Sequence, residues 1–340
     1  MFNIPKIPIF ILNWNGNEDT LQCLKSVSDS DLGFFFPVLI DNGSNDNLFF
    51  ELKLSIKTIF NEILYISKND VLNNFDFVTN QVSNFLSLNN SKLIVIQNPE
   101  NLGFAGGNNV GLIFAKKLNF SWVMLLNNDT IVLKDTFQKL LCFQNENPKY
   151  FAITPQIRCF SPNNLIWNCG GRLTFFGSRK YFFENNDFNT LPDIQYLDID
   201  FITGCALFFN VQVTGILSDK FFFGEEDYEF SLRLKKSNLK MACLLDSIIY
   251  HKVGSSIKKN SNNVGWIYLH YINRLINLKS YYNFFRWNGT LLLSYFYLPI
   301  LLFKSNINPL RSFYLISKIN NFVTRNSIVD KKEFLNSLKL

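Results

Sequence analysis

Four carboxylates follow a wall of aromatic residues in Phe221-Phe222-Phe223-Gly224-Glu225-Glu226-Asp227-Tyr228-Glu229-Phe230. Carboxylates held against apolar surface lose hydration, and their pKa values tend to rise. That is how a protein makes a general base that works near neutral pH. A second acidic site lies upstream in Leu125-Leu126-Asn127-Asn128-Asp129-Thr130. There an apolar strand runs out into short oxygen ligands, which suits a hard divalent cation. His251 follows the strand-like Ser247-Ile248-Ile249-Tyr250, and a neutral imidazole can complete an oxygen-rich metal site. Together these residues point to a metal-dependent transferase. Each also has a plainer reading. Asp129 could cap a helix beginning near Ile131, Asp41 could be the first residue of an Asx turn, and a lone histidine after a strand is more often structural than a ligand.

The elements that must position these groups are legible as alternating apolar runs. Ile7-Pro8-Ile9-Phe10-Ile11-Leu12 reads as a buried strand entering the loop Asn13-Trp14-Asn15-Gly16. Helical spacing follows from Asp19 to Val27, with Leu21, Leu24 and Val27 on one face. Val38-Leu39-Ile40, closed by Asp41-Asn42-Gly43-Ser44, is a second strand; Lys92–Ile96 is a third and Trp122–Leu126 a fourth. A helix is expected from Ala105 to Leu118. Strands alternating with helices predict an α/β fold with a mostly parallel sheet, in which ligands bind at the carboxyl ends of the strands. Asn13, Asp41 and Asn127 to Asp129 stand at such ends. The polar-aliphatic stretch from Leu48 to Ser91 reads as one or two inserted helices.

Pro99-Glu100-Asn101-Leu102-Gly103-Phe104-Ala105-Gly106-Gly107-Asn108-Asn109 is a glycine-rich entry to a helix. Such an entry either lets a phosphate approach the helix N-terminus or serves as a tight packing turn. It is neither a Walker loop nor a GxGxxG after the first strand, which counts against a nucleotide-dependent oxidoreductase. The six cysteines form no CxxC pair, so a zinc site is not indicated. The opening residues lack the features of a signal peptide, and a cytoplasmic location with reduced thiols is expected. Hydrophobic residues make up 47% of the chain, enough for a sizeable core.

Charge is unevenly placed. After His251 thirteen Lys and Arg face only Asp330 and Glu333, a local net of +11 on a body that carries −5. The basic tail contains the apolar run Leu291–Phe303, which is shorter than the ~20 residues a bilayer-spanning helix needs and holds Pro299. An interfacial helix on an anionic membrane fits this pattern. A nucleic-acid partner does not, because the charges are mixed with long apolar runs.

Taken in order, these segments resemble the family 2 glycosyltransferases with a GT-A fold, and within them the bacterial rhamnosyltransferase-like branch that builds surface polysaccharides. The matching pieces are Ile11–Gly16, Ile40–Asp46, Asn101–Asn109, Leu126–Thr130, Thr203-Gly204-Cys205-Ala206, Glu226-Asp227 with Arg233, and His251. The resemblance implies a nucleotide-diphospho-sugar transferase domain over residues 1–256, with an insertion at about 49–91 and a helical region at 257–340. It implies that Asp41 reads the pyrimidine ring with Trp14 beside it. Asn13, Asn15, Gly103, Gly106, Asn108, Asn127 and Asn128 would complete the donor site. Asn127 to Asp129 match the DXD motif, with Asn127 replacing its first Asp. Asp129 and His251 would then hold Mg²⁺ or Mn²⁺. Asp227 matches the catalytic base, preceded by Glu226. Where relatives commonly carry arginine, this chain has Asn210. The implied activity is an inverting transfer of a sugar, rhamnose being the branch's common choice, from a nucleotide-diphospho-sugar to a hydroxyl of a lipid-linked or polysaccharide acceptor. A non-catalytic nucleotide-sugar-binding module is the alternative.

Overall fold

A computed structural model describes residues 6–87, 91–252, 263–304 and 308–340. Thirteen strands are found among them. In chain order they are β1 Ile7–Asn13, β2 Phe35–Asn42, β3 Glu62–Ser67, β4 Lys92–Asn98, β5 Trp122–Asn127, β6 Thr130–Val132, β7 Tyr150–Cys159, β8 Ile166–Asn168, β9 Gly171–Leu173, β10 Arg179–Tyr181, β11 Tyr196–Ile199, β12 Ala206–Asn210 and β13 Lys240–His251. Eleven of them form one sheet in the order β11-β13-β7-β12-β5-β1-β2-β4-β3, with β6 pairing β13 and β8 pairing β7; β9 and β10 make a separate hairpin. The half from β5 to β3 is parallel, while β12 runs antiparallel to both of its neighbours.

The apolar runs explain the central strands. β1 and β2 are buried along nearly their whole length, as expected where helices cover both faces of a parallel sheet. Helix Asn17–Ser28 covers one face with Cys23, Leu24 and Val27, and helix Gly103–Lys117 covers the other. On the second face Phe10 meets Phe114 edge-on at 6.4 Å between ring centres. Removing such a ring from a closed core costs about 3–5 kcal/mol.

Register puts the polar strand ends side by side. Asn13 pairs with Asp41, and Leu12 pairs with Asn127. Two local expectations need correction. No helix begins near Ile131: Thr130–Val132 is β6, held against Ile249–His251. Its β-branched residues suit a strand better than a first helical turn. The stretch after Leu48 holds helices Asp46–Ser55, Lys68–Asn73 and Phe75–Ser87, and it also supplies β3 at the sheet edge. The short apolar run Ile63–Ile66 is too brief to separate strand from helix by period alone.

Beyond residues 253–262, which include the expected domain border at 256 and lie outside the described residues, helices Asn263–Tyr281, Phe284–Lys304, Pro309–Arg325 and Lys331–Ser337 pack around their own core. Tyr268, Ile272, Leu298, Leu302 and Ile319 are at its centre. Phe221 joins this core, which ties the tail to the acidic segment. Among the described residues no helix is long and apolar enough to cross a membrane.

Candidate active site

Asn13 ends β1 fully buried, and its amide is saturated. Nδ2 donates to Asp41 Oδ1 and to Ser44 Oγ, each at 3.2 Å, while Oδ1 accepts from Gly16 N at 3.1 Å and Thr20 Oγ1 at 2.9 Å. Asn13 therefore shapes the loop. Asp41 Oδ2 accepts from Ser44 N, three residues on, at 3.2 Å, which closes the loop after β2. Burial pushes the Asp41 carboxyl up, and the bonds from Ser44 and Asn13 oppose that rise. Asn15 has a left-handed φ of 56° and accepts from Asn45 N through Oδ1 at 2.8 Å. Between these anchored residues the Trp14 ring stands 55% exposed at the edge of the strand ends.

A second amide, Asn42, joins β2 to the glycine-rich segment. Its Nδ2 donates to Asn101 Oδ1 and Gly103 O, both at 3.1 Å, and its Oδ1 accepts from Asn98 Nδ2 at 3.1 Å and Leu102 N at 3.2 Å. Gly103 has φ 77°, and a Cβ there would lie 2.0 Å from Phe222 O. Only glycine lets the backbone preceding the acidic cluster come that close. Phe104 N donates to the same carbonyl at 3.2 Å. Asn108 is buried and donates to Phe104 O at 3.0 Å, and a Cβ at Gly106 would lie 3.1 Å from Leu102 Cβ. The glycine-rich segment thus carries a packing role: it seats the aromatic wall.

At the end of β5, Asn127 N donates to Cys205 O at 2.8 Å, and Asn128 Nδ2 donates to Thr20 Oγ1 at 2.9 Å. Thr20 links Asn128 to Asn13 and so to Asp41. β6 turns the chain so that Thr130 pairs with His251, and the Asp129 Oδ1–His251 Nε2 distance is 3.1 Å. Both side chains are buried. The Trp167 ring lies edge-on to the imidazole, 4.4 Å between centres. Burial disfavours the imidazolium, but the Cys205 sulfur and the Asp129 carboxylate outweigh it, and the His251 pKa is pushed up to about 10. A cation bound at this pair would displace that proton. The pair presents one carboxylate oxygen and one imidazole nitrogen to each other at the end of β5, and these two side chains would be the ones to hold a divalent ion. Among the described residues no group of three or more His, Cys, Asp or Glu is arranged to hold a metal; the remaining ligands would come from donor phosphate or water.

The acidic cluster opens helix Glu226–Lys236. Glu225 precedes it with a left-handed φ of 70°, an uncommon state for a residue with a side chain. Two guanidinium groups and an imidazole surround its carboxylate. Arg274 makes a two-pronged contact, with Nη2 at 3.0 Å; Arg179 Nη2 lies at 3.1 Å and His270 Nδ1 at 3.2 Å. Burial alone would raise the Glu225 pKa, but the two guanidinium groups hold it well below the carboxylate range. Glu226 is the opposite case. Burial, with Asp227 beside it, pushes its pKa up to about 8, and its buried Oε2 has no hydrogen-bond partner among the described residues. Asp227 is raised by burial and pulled back down by Arg179, whose Nη1 is 3.8 Å from Oδ1. Asp227 Oδ2 accepts from Gly204 N at 3.3 Å.

The turn Thr203–Cys205 therefore joins the two centres. Gly204 touches Asp227, while Cys205 bonds Asn127 through its carbonyl and lies within hydrogen-bonding reach of His251 through its sulfur. The sequence reading did not single out Thr20, Asn42, Arg179, His270 or Arg274. Arg179 and Arg274 carry no local signal, since their partner lies 46 and 49 residues away.

Residues 76–213 match the family model described as Glycosyl transferase family 2. Among solved structures, the chain is similar to S. aureus TarS 1–349, at 13% identity over 80% of this chain and 65% of that one, with a TM-score of 0.45. It is also similar to the mannosyltransferase PcManGT from Pyrobaculum calidifontis in complex with GDP-Man and Mn²⁺, at 11% identity over 99% of this chain and 87% of that one, with a TM-score of 0.52. The second likeness shows a shared fold. No curated protein matches the chain.

Proposed function

We propose, from the match of residues 76–213 to the family 2 glycosyltransferase model, that the chain transfers a sugar, with inversion, from a nucleoside-diphosphate donor to a hydroxyl of a lipid-linked or polysaccharide acceptor. The observation that carries this reading is the unlike surroundings of two adjacent buried carboxyls. Glu226 keeps its proton at neutral pH because it is buried beside a second carboxyl. Asp227 keeps Arg179 and the Gly204 N–H as partners, so it is the group left to act as base. A neutral carboxyl beside one that keeps a cation and an N–H as partners suits an acid–base site.

Asp227 takes the proton of the acceptor hydroxyl as that oxygen bonds the anomeric carbon. The bond from that carbon to the diphosphate oxygen breaks, and its electron pair leaves with the nucleoside diphosphate. One displacement inverts the anomeric centre and needs no covalent enzyme intermediate. Asp129 and His251 would hold Mg²⁺ or Mn²⁺, which when bound neutralises charge on the leaving diphosphate. Asp41 receives the base of the nucleotide, and the exposed Trp14 ring stacks on it. Asn13, Asn15, Asn127 and Asn128 hold the strand ends in shape for it, while Gly103, Gly106 and Asn108 set the packing behind them. The branch resemblance points to rhamnose as the sugar, and a peripheral seat on the inner face of the cytoplasmic membrane would bring Asp227 to a lipid-linked acceptor.

Thermal unfolding with UDP, GDP or dTDP, with and without Mn²⁺, tests the donor site. One nucleotide should stabilise the protein in an Mn²⁺-dependent way, by ~2.7 kcal/mol at a hundredfold excess over Kd. Asp129→Ala should remove the Mn²⁺-dependent part. No stabilisation by any nucleotide, with or without the ion, would overturn the reading.

A further inference from the structure

Helix Phe284–Lys304 is built inside out. Its buried stripe is Thr290, Ser294, Leu298 and Leu302, spaced four residues apart, so half of what it hides is polar. Its outward faces carry Phe284, Phe285, Leu292, Phe296, Ile300 and Phe303, each more than half exposed. A helix at the surface of a protein surrounded by water shows the reverse pattern, and a contiguous exposed apolar face marks a binding surface. The helices around it already close a core of their own without these side chains.

The charges fit one kind of partner. From Asn263 to Arg325 the sequence has no Asp or Glu, against seven Lys and Arg. Arg286 and Lys304 stand near the two ends of the helix. Its 21 residues extend about 30 Å, yet no described helix is apolar enough to span a bilayer. A helix with an apolar outer face, cationic ends and no carboxylate suits the plane of an anionic lipid interface.

The surface continues toward the base. The tip of the β9–β10 hairpin exposes Phe175 and Phe176. Arg286 fastens that tip to the helix: its Nε donates to Phe175 O at 2.7 Å, and its guanidinium lies 3.6 Å from the Tyr282 ring centre. Next along the hairpin, Gly177 O accepts from Tyr228 OH at 2.7 Å and from Arg274 Nη1 at 2.8 Å. Two residues further, Arg179 reaches Glu225 and Asp227.

We infer that the outward face of helix Phe284–Lys304, extended by Phe175 and Phe176, is a seat for an anionic lipid bilayer and sets the mouth of the Asp227 site at the lipid surface. The bilayer seat stands apart from the transferase reading; its use for presenting a lipid-linked acceptor rests on it.

Flotation of the full chain with phosphatidylglycerol-containing and pure phosphatidylcholine vesicles, at low and high salt, tests the seat. The wild type should float with the anionic vesicles, less so at high salt. The triple variant Phe296→Ser/Ile300→Ser/Phe303→Ser should lower the bound fraction by about tenfold or more, and Phe175→Ser/Phe176→Ser by less. Nucleotide stabilisation of each variant should match the wild type, which shows that it is folded. A wild type that ignores anionic vesicles at low salt overturns the inference, as does a triple variant that binds them undiminished. Self-association that the triple variant abolishes, in a protein that stays off vesicles, would assign the face to a second copy of the chain. Vesicle binding without nucleotide stabilisation would retain the seat and sink the transferase reading instead.

Discussion

The two ends of the candidate site are held by different chemistry. At the strand ends, Asp41 is positioned by neutral groups: Asn13, Ser44 and, through Asn13, Thr20 and Asn128. At the base, Glu225 is positioned by Arg179, Arg274 and His270. The amide network can be fully satisfied in a low-dielectric space without adding charge, as the proposed nucleotide seat requires. The charged clamp instead pins a left-handed residue, fixes where helix Glu226–Lys236 begins, and leaves one guanidinium beside Asp227. One end is built to be a shape, and the other to set protonation states.

The clamp should be the easier end to break. Arg274→Ala leaves a buried carboxylate short of its best partner, and should cost about 3–5 kcal/mol by chemical denaturation. Adding Glu225→Gln should recover part of that loss. The pH dependence distinguishes charge from packing. Glu225 is depressed in the folded state, so its stabilisation is present above the ordinary carboxylate range and is lost as pH falls below it. Arg274→Ala should flatten that acid loss. An unchanged acid slope would mean that the arginine acts by packing alone.

Asn13→Ala should have a smaller effect, about 1–3 kcal/mol, from stranding Asp41, Thr20 and Gly16 N. Its cost should barely change with salt, and nucleotide stabilisation should fall with it. If the variant binds nucleotide as well as wild type, the amide network is dispensable to the donor site.

How much of this contrast could be read from the sequence follows from its chemistry. Asn13, Asp41 and Asn127 were visible because each ends an unbroken apolar run, and a parallel sheet must gather such ends on one side. The fold follows from the same runs. Arg179 and Arg274 were invisible because nothing local demands an arginine at either place. Glu225 hid its left-handed backbone behind Gly224. The apolar run Leu291–Phe303 was conspicuous, but uniform apolarity has no period, so which face turned outward waited for the structure.

The smallest predicted effect concerns Arg179. It lowers the Asp227 pKa against burial, so Arg179→Gln should raise it. At a given pH less of the base is then ionised, and the acid limb of kcat/KM should move to higher pH with the plateau little changed. A limb that moves to lower pH would contradict the assignment.

The central claim is that Asp227 is the base and that it acts apart from donor binding. Asp227→Asn keeps the shape and removes the proton acceptor. Measured on one preparation, sugar transfer should fall by ~10²–10⁴, while Mn²⁺-dependent stabilisation by the nucleotide stays at the wild-type value. Near-normal transfer in that variant would contradict the account and move the base to Glu226 or Glu225.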